Sequence, residues 1–136
     1  MPLFRCAALF GARSASGVRV SRSVIILALI FASAGVLHFV TPAFFVRIVP
    51  AWVSDASLAV ELSGVAEIAG AIGLMLPATR KAAAWGLIAL LVAVFPANVN
   101  MLRMAIQADA STITQAVLWA RLPLQPLLIW WLWRVR

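Results

Sequence analysis

The sequence predicts an all-α protein, a four-helix bundle integral to a membrane with both termini in the cytoplasm. Composition is the first observation: 65% of the 136 residues are hydrophobic and only 11% are charged. Soluble domains are about half apolar and about a quarter charged. The second observation is that the apolar excess falls into four blocks, each about long enough to cross a bilayer as a helix. The third is the uneven distribution of the basic residues.

That distribution predicts the topology. Eight basic residues lie in the N-terminal tail, the connection after the second helix and the C-terminus, whereas three lie on the opposite side. Basic residues favour the cytoplasmic side of a membrane, which places both termini there. The tryptophans agree, because they form two belts at the predicted interfaces. The outer belt is Trp52 and Trp119, and the inner belt is Trp85, Trp130, Trp131 and Trp133.

The chain divides into a tail and a transmembrane domain. Residues 1–22 form a basic N-terminal tail, predicted to be disordered in the cytoplasm; a short helix lying on an anionic membrane surface is the alternative. Residues 23–136 form the transmembrane domain. Its predicted helices are about 23–40, 58–76, 82–102 and 114–133, with a short interfacial helix in 41–57 and a polar loop at 103–115. Prolines near the start of the fourth helix predict a kink or a partly 3₁₀ segment.

The second helix carries the most unusual residues. Glu61 and Glu67 are two of only four acidic residues in the chain. A charge near the bilayer centre costs about 3 kcal/mol, so such a group normally faces a partner or a cavity. The small residues of this helix, among them Gly64 and Gly70, allow neighbouring helices to approach closely. We therefore interpret it as an inner helix that presents a polar group to the other helices.

Polar groups from all four helices are predicted to converge in the outer half of the membrane. His38 lies near the outer end of helix one, Asn98 and Asn100 lie in helix three, and Arg121 and Gln125 lie one turn apart on one face of helix four. This convergence is the strongest functional signal in the sequence.

Each of these residues has a functional and a structural interpretation. Glu67 without a cation nearby would be neutral and able to carry a proton; alternatively it forms a structural ion pair with Arg121, because both charges are costly unless paired. His38 is either a proton carrier and quinone hydrogen-bond donor, or an interfacial histidine. Glu61 is expected near water, solvated or paired with an arginine. One of the two asparagines is expected to bond the backbone freed by Pro96.

Several chemistries are excluded by the residues present. No basic face alternates with exposed aromatic residues, so nucleic-acid binding is not expected. The single cysteine, Cys6, permits neither an intrachain disulfide nor a CxxC pair. One histidine does not make a usual zinc or bis-histidine haem site, and phosphate-loop and HExxH motifs are absent. Any redox activity would need a borrowed cofactor, for which a quinone fits best, or a partner subunit.

An ordered set of residues resembles the DoxX-like family of small bacterial membrane proteins. The resemblance covers roughly Val24 to Trp133, and no single motif in it is diagnostic. It rests on Gly35 to Phe39, Pro42, Pro50 to Trp52, Ser63 with Gly64, Glu67 to Gly70, Phe95 to Asn98, and Trp119 to Gln125. The family is similar in architecture, and its namesakes are subunits of a thiosulfate:quinone oxidoreductase. Other relatives are linked to redox complexes or to amine-dehydrogenase maturation, a thiol chemistry that Cys6 alone does not match.

The sequence and the resemblance together lead to one functional expectation. The chain is expected to be a bacterial inner-membrane subunit of a quinone-linked redox system, with the lipid bilayer and a redox protein as partners. Glu67, Arg121 and His38 are the expected catalytic residues; Asn98, Gln125 and Glu61 are expected to bind the quinone. No metal is expected. The alternatives are a non-enzymatic anchor or assembly protein and, with less support, a small-solute transporter. The oligomeric state is left open.

Overall fold

The computed structural model describes residues 20–136, which form five α-helices. These are α1 (Arg22–Val40), α2 (Pro42–Ile48), α3 (Ala56–Met75), α4 (Arg80–Gln107) and α5 (Thr112–Val135). No strand occurs within residues 20–136, so the predicted all-α class is confirmed. The predicted tail lies outside the described residues except for its last three positions.

The four long helices begin close to their predicted starts. Three of them have a side-chain cap, in which an oxygen of the residue before the helix accepts a backbone N–H three residues later. The capping residues are Ser21, Asp55 and Ser111. The short α2 begins at Pro42, whose missing N–H costs nothing at a helix start. It corresponds to the short helix predicted within residues 41–57.

The loop predicted at residues 103–115 is wrong in extent. Helix α4 continues to Gln107 and α5 begins at Thr112, which leaves a connection of only four residues. Asp109 turns the chain with a φ of 49°, a left-handed conformation that aspartate tolerates better than most residues. The 28 residues of α4 extend about 42 Å, more than the hydrocarbon thickness, so its last turns can be polar and still helical.

Prolines interrupt neither α4 nor α5. Pro96 lies inside α4, and Pro123 and Pro126 lie inside α5. The 3₁₀ segment predicted at the start of the fourth helix is wrong, because α5 is α-helical from its first residue to its last. Each proline removes one backbone hydrogen bond, which membrane helices tolerate where neighbouring groups satisfy the freed backbone.

The tightest packing lies where the amino end of α1, the α3–α4 turn and the carboxyl end of α5 meet. We call this the terminal end, and the opposite end, which carries α2, the α2 end. Helix α1 packs against α3, and α4 packs against both α3 and α5. The side chains with at most 1% exposure are all near the terminal end: Val24, Leu27, Leu74, Ala84, Leu87 and Leu132. The apolar core of the bundle is therefore most deeply buried near the terminal end.

Helices α1 and α3 approach closely through two glycines. A Cβ added at Gly35 would lie 2.8 Å from the carbonyl oxygen of Gly64, and one added at Gly64 would lie 2.8 Å from the Cβ of His38. Neither distance is compatible with a real side chain at the present spacing. The interpretation of Gly64 as a packing residue is confirmed.

The surface of the helices is strongly apolar. Large side chains around α1, α3, α4 and α5 are 40% exposed or more, for example Leu29, Leu62, Ile72, Val92 and Leu127. Helices α1, α3 and α4 are long and apolar enough to cross a membrane. Helix α5 does not belong to that set, because Arg121, Gln125 and other polar residues interrupt its apolar sequence. The exposed apolar side chains are those that a lipid environment would cover.

Candidate functional site

A cavity of about 490 Å³ lies in the α2 end of the bundle. This volume is in the range of small-molecule sites. Residues from all five helices and from the α2–α3 connection line it, and most of them are apolar. Its polar lining consists of Ser63, His38, Glu67, Asn98, Arg121 and Gln125. The predicted convergence of polar groups from four helices is therefore present in this cavity for His38, Glu67, Asn98, Arg121 and Gln125, but not for Glu61 or Asn100.

His38 is held on the cavity wall by three contacts. Its Nδ1 donates a hydrogen bond to the carbonyl oxygen of Ala34, 2.9 Å away and one turn earlier in α1. Its ring stacks on Phe45 of α2, with centroids 4.0 Å apart and planes at 19°. Its Nδ1 also lies 3.2 Å from Oε2 of Glu67. Because a carbonyl can only accept, the neutral ring carries its proton on Nδ1, which leaves Nε2 to exchange protons with a ligand.

Glu67 faces His38 across the close α1–α3 contact. Its side chain is 12% exposed, and Oε2 is buried without a hydrogen-bond partner among residues 20–136. The 3.2 Å contact with His38 is not a hydrogen bond, since the Nδ1 proton is directed to Ala34, and it is an ion pair only when the imidazole is protonated. A buried carboxyl oxygen without a partner is costly, and a ligand in the cavity could satisfy it.

The opposite wall holds a continuous polar chain between α4 and α5. Arg121 donates from Nε to Oδ1 of Asn98 at 3.1 Å, and Asn98 donates from Nδ2 to Oε1 of Gln125 at 2.8 Å. Gln125 in turn donates from Nε2 to the backbone carbonyl of Leu91. The acceptor, Leu91, lies five residues before Pro96 in α4. The glutamine thus donates a side-chain hydrogen bond to the backbone of α4 on the amino-terminal side of the proline.

Two expectations about Glu67 and the asparagines need correction. The side-chain neighbour of the Glu67 carboxyl group is His38, and the side-chain partner of Arg121 is Asn98, so the predicted central Glu67–Arg121 pair is not formed within the described residues. Both residues nevertheless line the same cavity. Neither asparagine bonds the backbone freed by Pro96: Asn98 bonds side chains, and Asn100 donates to the carbonyl of Ile48 in α2 at 2.9 Å.

Glu61 is not part of the cavity. It is exposed on α3 and does not line the cavity. The structure separates it from His38, Glu67, Asn98, Arg121 and Gln125, which the cavity brings together.

Sequence reasoning missed the contribution of the short helix and the connection after it. Phe45 stacks on His38, and Trp52 lines the cavity although its side chain is 74% exposed. From the sequence, the apolar residues of this region predict a helix and a tryptophan at the membrane interface, not the wall of a cavity. For Phe45, the signal that could have found it is the pair of phenylalanines in the seven-residue helix that follows the histidine.

Three or more metal-ligating side chains do not come together anywhere in residues 20–136. The cavity offers instead carboxyl, imidazole, amide and guanidinium groups set in apolar walls. Such a set can bind an uncharged or weakly polar headgroup through hydrogen bonds and can exchange protons with it.

The fold and the cavity define a class: an all-helical protein with three helices able to cross a membrane and a polar site at one end of the bundle. Residues 27–136 match the family described as Domain of unknown function (DUF8561), and the chain belongs to this family. The matched segment includes every residue that lines the cavity. Comparison with curated proteins and with solved structures yielded no match. The DoxX-like resemblance stays a prediction.

Proposed function

We propose that this protein is a membrane subunit of a quinone-linked redox system and binds the quinone headgroup in the α2-end cavity. The observation that carries the proposal is the cavity itself, which places the His38–Glu67 contact opposite the Arg121–Asn98–Gln125 chain. The resemblance to the DoxX-like family is the sequence support for the same assignment.

The proposed setting is the bacterial inner membrane, with α5 as a fourth span and both termini in the cytoplasm. Helix α5 has 24 residues and extends about 36 Å, enough to cross the hydrocarbon. The terminal end carries the basic residues Arg22, Arg80, Lys81, Arg134 and Arg136, which favours the cytoplasmic side for it. The cavity then lies toward the outer side.

The cavity residues suit the chemistry of a quinone. Its ring carbonyls accept hydrogen bonds, which Arg121 and, once Nε2 is protonated, the imidazolium of His38 can donate. Reduction to the quinol consumes two electrons and two protons. His38 and Glu67 would supply the protons, exchanging them through Nε2 and the carboxyl group, while a partner redox protein would supply the electrons.

Photolabelling tests the binding step. The full-length protein in lipid nanodiscs is irradiated with a photoactivatable benzoquinone, and the adducts are mapped by mass spectrometry. We expect adducts on cavity-lining residues such as Phe45 and Leu124 and their suppression by excess unlabelled quinone. Adducts confined to lipid-facing side chains, or unaffected by the competitor, would contradict the proposal.

Glu67→Gln tests the proton-transfer step. Glutamine keeps the volume but cannot exchange the proton, so quinone reduction in native membranes should fall about 100-fold at unchanged abundance, a typical acid–base contribution. Glu61→Gln is the matched control on the same helix, exposed and outside the cavity, and should keep wild-type activity.

The second candidate is a non-enzymatic anchor or assembly protein in which the polar residues only hold the bundle together. The observation that favours it is that Asn98, Asn100 and Gln125 all bond to neighbouring helices. If Glu67→Gln fails to accumulate while Glu61→Gln accumulates normally, Glu67 is structural and this second candidate gains.

A further inference from the structure

A second pocket, of about 400 Å³, lies at the terminal end, far from the α2-end cavity. It is formed where the amino end of α1, the start of α4 and the last turns of α5 meet. Its polar and aromatic lining is Ser21, Ser23, Arg80, Trp130, Trp131 and Arg134. The proposed redox function uses none of these residues.

Arg80 is held at this pocket by one hydrogen bond, and its guanidinium group has further N–H donors that are not used within the described residues. Its Nε donates to the backbone carbonyl of Leu74 at 2.9 Å, which holds the guanidinium against the end of α3. Its Nη2 is buried and has no hydrogen-bond acceptor among residues 20–136. A buried guanidinium nitrogen without an acceptor is costly, so an acceptor supplied from outside the chain would be favourable.

The second cation, Arg134, lies over the ring of Trp130, with its guanidinium carbon 5.4 Å from the ring centroid. No ion pair joins either arginine to a carboxylate within the described chain, where the one ionic contact is that of His38 with Glu67. The sequence explains this, because its four acidic residues are Asp55, Glu61, Glu67 and Asp109. None of these lines the pocket.

We propose that this pocket binds the phosphate group of an anionic membrane phospholipid. Two guanidinium groups without carboxylate partners match a phosphate, to which arginine donates charge-assisted, often bidentate hydrogen bonds. The amino end of α1 at the same pocket adds partial positive charge. The indoles of Trp130 and Trp131 favour a lipid over a soluble phosphate, because tryptophan side chains lie at the level of the headgroups. The bound lipid joins α1, α4 and α5 at the terminal end.

Native mass spectrometry of the full-length protein, titrated with phosphatidylglycerol or phosphatidylcholine in detergent, tests the proposal. We expect phosphatidylglycerol to bind at least about tenfold more tightly. Arg134→Gln should remove most of that selectivity, since the loss of one charge-assisted hydrogen bond corresponds to about a tenfold change or more. Arg134 has no hydrogen-bonding role in the described fold, so this variant should fold; Arg80→Gln and the double variant extend the series.

The matched control is Arg22→Gln with Lys81→Gln. It removes two positive charges from the same end, like the double variant, but neither residue lines the pocket. We expect its selectivity to stay within about twofold of wild type, a difference well under 1.4 kcal/mol. Equal binding of the two lipids, or equal losses in control and pocket variants, would overturn the proposal. Displacement of the lipid by equimolar inorganic phosphate would overturn the assignment to a lipid.

Discussion

Gln125 is the single fully buried polar side chain among residues 20–136, at 4% exposure. Its side chain makes two hydrogen bonds: Oε1 accepts from Asn98, and Nε2 donates to the backbone carbonyl of Leu91 in α4. The side chain therefore joins α4 to α5 next to the proline of α4. A polar group in this position is favourable only while both bonds are made.

Replacing Gln125 with leucine should destabilise the bundle. Leucine has a similar size but removes the acceptor of the Asn98 amide and the side-chain donor to the Leu91 carbonyl. We expect the free energy of unfolding to fall by about 1 to 2 kcal/mol. Hydrogen bonds between membrane helices contribute less to stability than the cost of burying an unpaired polar group would suggest. Unfolding by SDS titration measures the change.

Gln107→Leu is the control for this substitution. Gln107 is exposed at the end of α4 and makes no side-chain hydrogen bond within the described residues. Its replacement should change the free energy of unfolding by less than about 0.5 kcal/mol. Equal effects of the two substitutions would show that the buried bonds of Gln125 add nothing to stability.

The partners of individual residues were the least predictable feature. Depth along each helix could be read from the sequence, and it predicts that every helix sends a polar group to the outer half of the membrane. Rotation about each helix axis could not be read, because these helices are apolar on all sides and have no polar face to orient them. For this reason the sequence predicts a Glu67–Arg121 pair. In the structure, the rotation of α1 and α3 places Glu67 beside His38 instead.

Among the elements, α1 and α3 form the contact on which the cavity depends. Gly35 and Gly64 allow their backbones to approach, and this approach brings His38 of α1 to Glu67 of α3. The glycines are therefore structural residues with a direct effect on the site. Membrane helices use small residues in this way because packing drives their association.

Gly35→Ala should separate the two helices. The added Cβ would lie 2.7 Å from Cγ1 of Ile68 and 2.8 Å from the carbonyl oxygen of Gly64. Because this oxygen belongs to the backbone of α3, the clash can be relieved only if the whole helix moves. We expect a destabilisation of about 1 to 3 kcal/mol, typical of overpacking. Thermal denaturation in detergent, followed by circular dichroism, measures it.

Gly86→Ala is the control, because no atom lies within 4 Å of a Cβ added there. Alanine in an exposed helix interior is favoured over glycine by up to about 1 kcal/mol, so this variant should be as stable as wild type or more so. A destabilised Gly86→Ala together with an unaffected Gly35→Ala would contradict the role assigned to the α1–α3 contact.

Element boundaries were predicted well where polarity changes sharply and poorly where it does not. The starts of α1, α3 and α4 lie within two residues of the predicted ones. The predicted end of α4 is five residues too early, because the polar residues Arg103 and Gln107 predict a loop where the helix continues. Polarity indicates where a helix leaves the hydrocarbon, and not where it ends.

At the scale of the whole molecule, the proposed topology depends on α5. Three helices meet the length and hydropathy of a membrane span, and α5 is the one of the four long helices that does not. Its polar residues Arg121 and Gln125 both line the cavity, where Gln125 is buried and Arg121, although exposed, donates to Asn98. This explains how a helix of modest hydropathy can still cross the membrane.

Reporter fusions test the fourth span. One reporter is placed after Arg136 and another in the α4–α5 connection at Asp109. If α5 crosses the membrane, the two reporters should lie on opposite sides, with the C-terminal one in the cytoplasm. Both reporters on one side would contradict a transmembrane α5 and the four-span topology. A reporter fused before Val20 is the control and should match the C-terminal one.

The unequal packing of the two ends has a consequence for energy conversion. Leu27, Leu74, Leu87 and Leu132 fill the terminal end, whereas the cavity occupies the α2 end. In the proposed topology the tightly packed terminal end faces the cytoplasm, so water and protons would reach His38 and Glu67 from the outer compartment. A quinone reduced there would take its protons from the outer compartment, while the cytoplasmic pH would have no direct influence on the step. The protein would then behave as a half-channel whose driving force includes the external acidity.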